Sequence, residues 1–192
     1  SIDGTDRIAR DAGAEVVYER RRGYGSACLA GLTHLRNAPP DVVLFLDGDG
    51  ADDPLDIPQL LAPIKSDVAD FVVGSRTTGD IERGALTPVQ HFGNVLSCSL
   101  VRLLFGVKFT DLGPMRAIRW EILESLAMAD PDFGWTVEMQ AKAARRGVRC
   151  AEVPVHCRRR FAGRSKVSGT KKGSIRAGVK ILYTIGREAI RR

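Results

Sequence analysis

The 192-residue sequence lacks the features of membrane-spanning, disulfide-bonded and metal-finger proteins. No apolar run approaches the ~20 residues that a membrane-spanning helix needs, and the polar residues from Ser1 to Arg10 are not typical of a signal peptide. The four cysteines form no CxxC pair, which favours free thiols over a disulfide or a zinc site. None of the three histidines has the spacing of a metal ligand, and the sequence has no repeats or low-complexity tracts. The class that remains is an ordinary globular domain.

The charge of the chain is unevenly placed. Lysine and arginine number 29 against 23 aspartate and glutamate, which gives a net charge of +6, and the excess is concentrated in short stretches near residues 20–22, 158–166 and 176–192. Few aromatic residues lie among these basic stretches, which argues against a groove for single-stranded nucleic acid. We therefore predict no nucleic-acid partner.

One stretch places two carboxylates directly after a buried strand. The apolar residues Val42–Leu46 are followed by Asp47, Gly48 and Asp49. A short uninterrupted apolar run is typical of a strand covered on both faces, and functional groups collect at the carboxyl ends of such strands. Two carboxylates there suit Mg²⁺ or Mn²⁺ together with a phosphate. The alternative is an ordinary acidic turn after the strand.

The alternation of strand and helix patterns predicts an α/β fold with a mostly parallel central sheet and helices on both faces. The predicted strands are Glu15–Tyr18, Val42–Leu46, Asp70–Gly74, one ending at Ile118, and Val148–His156. The predicted helices are Thr5–Ala12, Ser26–Asn37, Pro54–Lys65, Val89–Phe105, Trp120–Ala127, Phe133–Arg146 and Gly173–Arg192. Such a domain normally opens with a strand, so we expect a further element upstream of this sequence.

Basic residues follow two of the predicted strands and line the last helix. The glycine loop, Arg22–Gly25, precedes a helix, where backbone N–H groups can approach an anion. Arg76 follows the second buried strand, at the edge that carries Asp47 if the strands are parallel. The helix over 173–192 is amphipathic, and its basic side predicts either docking on the core or contact with an anionic membrane. The aligned basic residues are Arg176, Lys180, Arg187 and Arg191.

In this order along the chain, these motifs resemble family 2 glycosyltransferases of the GT-A fold. The branch is the one with dolichyl-phosphate mannosyltransferase and bacterial polyprenyl-phosphate sugar transferases. The matching stretches are residues 1–5, 22–25, 47–54, 74–76, 111–116 and 160–166. The resemblance implies a GT-A catalytic domain over residues 1–172, without its first strand, and a separate basic helix over 173–192.

The resemblance also implies a function and a set of site residues. The function would be inverting, metal-dependent transfer of a hexose from a UDP-glucose- or GDP-mannose-type donor to a polyprenyl phosphate, at the cytoplasmic face of a membrane. Mg²⁺ or Mn²⁺ would be held by Asp47 and Asp49. The donor nucleotide sugar would be bound by Arg22, Gly23, Gly25, Asp47, Gly48 and Asp49. The acceptor phosphate would be bound by Arg76, Arg160, Ser165 and Lys166. The catalytic residues would be Asp49, Asp111 and Arg116.

Several alternatives remain at this point. Ala51 stands where such relatives often carry a polar third metal ligand, and Asp52 or water could replace it. Glu138 could be a general base for a hydroxyl acceptor, or an ordinary carboxylate on a helix surface. A haloacid-dehalogenase-like phosphatase would use Asp47 as its nucleophile, although Gly50 and Ala51 depart from that family's pattern. The last alternative is an inactive basic module that associates with membranes.

Overall fold

The computed structural model describes residues 4–161 and 171–190. The helices are α1 (Thr5–Asp11), α2 (Tyr24–Leu35), α3 (Ile57–Lys65), α4 (Pro88–Phe105), α5 (Trp120–Leu126), α6 (Trp135–Arg145) and α7 (Lys171–Ile190). The strands are β1 (Val42–Phe45), β2 (Phe71–Ser75), β3 (Arg116–Arg119) and β4 (Cys150–Pro154). A 3-10 turn over Pro54–Asp56 precedes α3. In this part of the chain, no helix combines the length and the apolar character that crossing a membrane requires.

The four strands form one sheet in the order β1-β3-β2-β4. β1, β2 and β4 share one direction, as the mostly parallel prediction requires, while β3 lies antiparallel between β1 and β2. Arg116, the first residue of β3, is paired with Phe45 at the end of β1 and with Val73 near the end of β2. The start of β3 therefore lies at the edge where the other three strands end.

Both faces of the sheet are covered, as predicted. Phe71 and Val73 of β2 pack into one buried cluster, which includes Trp135 of α6. Val72 points to the opposite face and packs into a second cluster, which includes Leu60 of α3. Successive side chains of a strand point to opposite faces, so these two clusters are the interior on the two sides of one sheet.

The structure corrects three sequence predictions. Residues 15–18 form no strand and are not paired with any strand in the described chain. Tyr18 is 68% exposed. A strand needs a hydrogen-bonded neighbour, which the alternation of side chains alone does not supply. The helix predicted over Pro54–Lys65 begins with the 3-10 turn, where the Asp53 side chain accepts a hydrogen bond from the Leu55 N–H. The last strand is shorter than predicted and covers Cys150–Pro154.

The last helix packs on the domain through α4 and α6. Thr184, Ile185 and Glu188 are buried in this contact. Two of the basic residues that suggested a membrane-facing side are used within the protein. Lys180 pairs with the buried Asp130 at 2.8 Å, and Arg187 pairs with a buried glutamate of α6 at 3.0 Å. Lys180 and Arg187 are therefore turned towards acidic groups of the core, whereas the side chain of Arg176 is 78% exposed and Arg191 lies outside the described residues.

Candidate active site

The sheet gathers the predicted site residues at one edge. The acidic turn, residues 47–53, follows β1, and Arg76 follows β2, which runs in the same direction as β1. Arg116 reaches this edge from the opposite direction because it begins the antiparallel strand β3. The chain that follows β4 also leaves the sheet here. The sequence prediction that Arg76 and Asp47 share an edge is consistent with this shared strand direction.

The acidic turn uses some of its own carboxylates to fold. Asp52 accepts a hydrogen bond from the Asp47 N–H at 2.9 Å, and Asp53 accepts one from the Leu55 N–H at 3.1 Å. Gly50 takes a positive φ of 78°, which glycine adopts without strain. Asp52 and Asp53 are buried, whereas Asp47 and Asp49 remain partly exposed. Asp47 and Asp49 are therefore the more accessible pair, although the Oδ1 of Asp49 accepts a hydrogen bond from the Ala51 N–H at 2.9 Å.

The charges around the acidic turn oppose one another. Burial raises the pKa of Asp47, and the negative charge of Asp49 raises it further. The positive charges of Arg160, Arg76 and Arg116 lower the pKa of the same carboxyl group. Burial likewise raises the pKa of Asp52 to about 6. Three arginines thus act on a cluster of carboxylates, and the site carries both signs of charge within a small volume.

The residues present fit a hard divalent cation that is shared with a ligand. In residues 4–161 and 171–190, no group of three or more His, Cys, Asp or Glu side chains is arranged to hold a metal ion. Mg²⁺ is often held by one or two carboxylates, with water and substrate phosphates completing its coordination. Asp47 and Asp49 supply two carboxylates of this kind. A cation at this position would therefore depend on phosphate oxygens for part of its coordination.

A short segment after β4 crosses the acidic turn. This crossing segment, residues 157–161, forms a bridge between Cys157 and Asp52. The Arg158 N–H donates to the Ala51 carbonyl at 2.9 Å, and the Phe161 N–H donates to the Asp49 carbonyl at 3.1 Å. The crossing segment is thus held along the same residues that carry the candidate metal ligands.

A cleft of about 550 Å³ opens between the acidic turn and the crossing segment. Its walls include side chains of both signs of charge and an aromatic ring. They are contributed by Asp47, Asp52, Glu82, Arg158, Arg159 and Phe161. Its size falls in the range of small-molecule binding sites. We take this cleft as the candidate binding site.

Arg76 is fixed by a carboxylate of the interior. Its Nε and Nη2 donate to the two oxygens of Asp111 at 2.8 and 2.7 Å, and its backbone N–H donates to Asp111 at 2.8 Å. Burial lowers the pKa of Arg76, but the hydrogen bonds and charge of Asp111 outweigh this effect and raise it overall. The side chain of Arg76 remains 19% exposed while Asp111 is fully buried. Asp111 therefore orients Arg76 from the interior, and neither residue is among those that line the cleft.

Arg116 is also buried, and its contacts are with the protein backbone. Its guanidinium donates to the Thr136 carbonyl at 2.9 Å, to the Leu112 carbonyl at 3.2 Å and to the Gly113 carbonyl. Burial lowers its pKa. This placement differs from the predicted catalytic role, because the guanidinium links the loop before β3 to α6. Its charge acts on Asp47 from within the protein.

Glu138 is neither a surface carboxylate nor an accessible base. Its side chain is fully buried and pairs with Lys142 at 2.9 Å and with Arg187 at 3.0 Å. It also accepts hydrogen bonds from the backbone N–H groups of Ala129 and Asp130. These contacts make Glu138 the centre of an ion network that joins α6 to α7. The interpretation as a surface carboxylate was wrong, and the burial and ion pairs of Glu138 do not favour the interpretation as a general base.

The glycine loop packs closely on a second loop. A β-carbon on Gly25 would lie 2.9 Å from the carbonyl carbons of Asp130 and Pro131, and one on Gly23 would lie 3.2 Å from the Pro131 carbonyl carbon. The Ser26 N–H donates to the Pro131 oxygen at 2.9 Å. Both glycines are therefore explained by close packing of backbone, and this packing places the exposed Arg22 beside the start of α2.

The sequence analysis missed the residues that support the site. Asp130 and Pro131 gave no signal apart from the turn propensity of an Asp-Pro pair, and Asp111 gave no sign that it would hold Arg76. The crossing segment was recognised only through its arginines. The predicted acceptor residues Ser165 and Lys166 lie outside the described residues.

The sequence profile of the Glycosyl transferase family 2 matches residues 1–127. The chain belongs to this family. The prediction of a glycosyltransferase is thereby confirmed at the level of the family, and the haloacid-dehalogenase alternative is removed. In this family 2 member, the structure shows an antiparallel strand β3, with the acidic turn and the arginines at the same edge of the sheet.

Relatives and solved structures extend the match. An uncharacterized glycosyltransferase of Mycobacterium tuberculosis is 37% identical over 176 residues, which are 91% of this chain and 78% of the relative. The undecaprenyl-phosphate mannosyltransferase of Micrococcus luteus is 30% identical over 182 residues, 88% of this chain and 73% of the relative. Glucosyl-3-phosphoglycerate synthase of M. tuberculosis, solved with Mn²⁺, UDP-glucose and phosphoglyceric acid, has the same fold, with a TM-score of 0.70 at 23% identity. The match covers 97% of this chain and 66% of that chain.

Proposed function

We propose that this family 2 member transfers a hexose from a nucleotide sugar to a polyprenyl phosphate, with inversion at the sugar carbon and with Mg²⁺ or Mn²⁺ as cofactor. The observation that carries the proposal is the meeting of Asp47 and Asp49 with Arg76 and Arg160 at one sheet edge. A relative named for transfer of mannose to undecaprenyl phosphate supports the choice of acceptor.

The donor side of the proposed site is the acidic turn and the glycine loop. Asp47 and Asp49 would hold the divalent cation, and Gly48 between them leaves room for the diphosphate. A bound cation supplies charge neutralisation of the diphosphate as the sugar bond breaks. The exposed Arg22 would lie beside the nucleotide, and Gly23 and Gly25 would contribute through the close packing that places this loop. The structure solved with Mn²⁺ and UDP-glucose is a protein of the same fold, which supports this choice of donor and metal.

The acceptor side requires positive charge more than it requires a base. A phosphate monoester is ionised at neutral pH, so its oxygen can attack without losing a proton to the protein. Arg76, oriented by Asp111, and Arg160 would hold this anion, and Ser165 and Lys166 complete the proposed set. We assign Asp111 and Arg116 as positioning residues, because both are buried. Asp49 keeps the proposed catalytic role through the metal.

The proposed membrane contact moves from the basic side of α7 to an apolar face. α4 and α7 pack on each other, and each exposes large apolar side chains. The exposed residues are Val89, Phe92, Val95, Leu96, Leu103 and Leu104 on α4, and Ile175, Val179, Leu182, Tyr183 and Ile190 on α7. Exposed apolar surface on this scale marks a protein or membrane contact. We propose a lipid surface at the cytoplasmic side, because the proposed acceptor is itself lipid-linked.

The position of α4 favours this assignment. The Asn94 side chain on α4 donates to the Thr110 carbonyl at 2.9 Å and accepts from the Leu112 N–H at 2.8 Å. These two residues flank Asp111, which holds Arg76. The helix that exposes Phe92 and Leu103 is therefore hydrogen-bonded to the loop that holds Arg76 at the proposed acceptor site. In this proposal residues 1–172 carry the catalytic groups, and the helix over 173–192 adds its part of the apolar face.

The decisive experiment measures sugar transfer. Purified protein is incubated with Mn²⁺, with UDP-glucose or GDP-mannose, and with a short-chain polyprenyl phosphate in detergent, and the lipid product is detected by mass spectrometry. Asp47→Asn and Asp49→Asn should each lower turnover on the order of 100-fold or more. The exposed Asp41 at the start of β1 offers the matched control, Asp41→Asn. Equal turnover in all three variants would exclude the proposed role of the pair.

The membrane contact is tested separately by flotation with anionic vesicles. Phe92→Glu should lower vesicle binding several-fold, because a 69% exposed apolar ring is replaced by a charge that anionic lipid repels. Asn37→Glu, at an exposed position just after α2, carries the same added charge without changing the apolar face. Equal loss of binding in the two variants would point to net charge alone and contradict the apolar contact.

A further inference from the structure

One ion pair joins a candidate metal ligand to a candidate anion-binding residue. The Arg160 guanidinium lies 2.7 Å from the Oδ2 of Asp49. The side chain of Asp49 is 17% exposed and that of Arg160 is 40% exposed. The pair therefore lies at the protein surface, on the carboxylate that the proposed cation needs.

Backbone contacts on both sides hold Arg160 in this place. Arg158, two residues before Arg160, donates its N–H to the Ala51 carbonyl at 2.9 Å. The next residue, Phe161, donates its N–H to the carbonyl of Asp49 itself at 3.1 Å. A β-carbon on Gly50 would lie 3.3 Å from that of Phe161, so the two segments are also in close contact. The backbone contacts of the crossing segment thus hold the guanidinium beside Asp49.

A guanidinium and a divalent cation on one carboxylate oxygen compete. The Oδ1 of Asp49 already accepts from the Ala51 N–H at 2.9 Å, so both depend on Oδ2. Two positive charges a few ångströms apart also repel each other. We propose that Asp49 exchanges between Arg160 and the divalent cation, so that Arg160 sets the threshold for metal binding. The displaced guanidinium would pair first with the donor diphosphate that enters with the cation, and afterwards with the acceptor phosphate for which it is proposed. This inference rests on the proposed function and deepens it.

The exchange has a thermodynamic consequence. The cation alone has to displace Arg160 and therefore binds weakly. A nucleoside diphosphate that engages Arg160 removes the competitor and raises the affinity of the cation, and the coupling is equal in both directions. The donor and the metal would then enter together, and little metal would be held at rest.

Mn²⁺ binding, measured by the electron paramagnetic resonance signal of the free ion, tests this without sugar transfer. The titration uses the whole protein, with and without UDP or GDP. Arg160→Ala should tighten binding of Mn²⁺ alone on the order of tenfold, through loss of the ion pair and of its repulsion. Arg83→Ala is the matched control, because it removes the same charge from an exposed side chain that is not the partner of Asp49 and does not line the cleft. Arg160→Lys should fall between wild type and Arg160→Ala.

The coupling is the second readout. UDP or GDP should raise the Mn²⁺ affinity of the wild-type protein more than that of Arg160→Ala. Equal Mn²⁺ affinity in Arg160→Ala and Arg83→Ala, with binding still lost in Asp49→Asn, would overturn the exchange and leave the metal site standing. Mn²⁺ binding that survives in Asp47→Asn and Asp49→Asn, or no binding in any variant, would overturn the metal site and the exchange together.

Discussion

Replacing Gly25 by alanine tests the contact between the glycine loop and the loop at Asp130 and Pro131. The added β-carbon would lie 2.9 Å from two carbonyl carbons and closer still to the Asp130 oxygen. Carbon atoms in contact are normally 3.5–4.0 Å apart. The atoms that it meets belong to backbone, so they cannot turn aside as a side chain would. The two loops must separate by roughly 1 Å.

The cost can be worked out from these contacts. Overpacking of this kind costs about 1–3 kcal/mol, and weakening the Ser26 N–H bond to the Pro131 oxygen adds about 1 kcal/mol. Alanine returns up to ~1 kcal/mol through its higher helix propensity. We expect Gly25→Ala to lower the free energy of unfolding by about 1–3 kcal/mol, which for a chain of this length is a fall in Tm of roughly 2–12 °C.

The same helix supplies the control. Gly31 of α2 has no atom within 4 Å of the position of a β-carbon. Gly31→Ala should therefore stabilise the protein by about 0.5–1 kcal/mol. Urea unfolding followed by circular dichroism measures both variants. If Gly25→Ala unfolds at the wild-type urea concentration or above it, the loop contact is not rigid, and close packing does not explain the glycine.

Two further predictions concern charged pairs. Asp111→Asn should lower the free energy of unfolding by roughly 2–4 kcal/mol, because it leaves the guanidinium of Arg76 in a mostly buried place without its counter-charge; urea unfolding measures this, and a loss below the error of the method would contradict it. The hydrogen bond and charge of Asp56 raise the pKa of His156, so protonated His156 stabilises the fold. That stability is complete below the unfolded pKa of about 6.5 and is lost as the pH rises through the folded value. The Tm difference between wild type and His156→Gln should therefore be larger at about pH 6 than at about pH 8.5, and a difference independent of pH would refute it.

The parts of the site that lie next to each other in sequence could be predicted. An apolar run that ends in Asp47 and Asp49 fixes both the strand and the edge at which the carboxylates emerge. The same reasoning placed Arg76, because it follows a second apolar run of equal character. Local pattern sufficed here, because strand direction and side-chain alternation are properties of short segments.

Contacts between distant segments could not be predicted. The reversal of β3 depends on the path of the chain between Asp111 and Arg116, which has no periodicity. The burial of Glu138 depends on cations that come partly from its own helix, through Lys142, and partly from α7. A charged residue on a helix predicts exposure, and only the presence of the second helix reverses that prediction. These interactions become visible only when the whole chain is assembled.

Because β3 is antiparallel to its neighbours, the proposed site residues come from different connections of the chain. The turn after β1 carries the groups proposed for the donor, while the connection from β2 to β3, which includes α4, carries Arg76, its orienting carboxylate and much of the apolar face. Because β3 lies between β1 and β2, both connections open onto one edge although each belongs to a different excursion of the chain. Length or sequence changes within residues 76–115 should therefore alter the proposed acceptor contact through Arg76 and the proposed apolar face, while Asp47 and Asp49 keep their places after β1. In a fold connected in this way, residues proposed to contact one substrate can change while those proposed to contact the other stay the same.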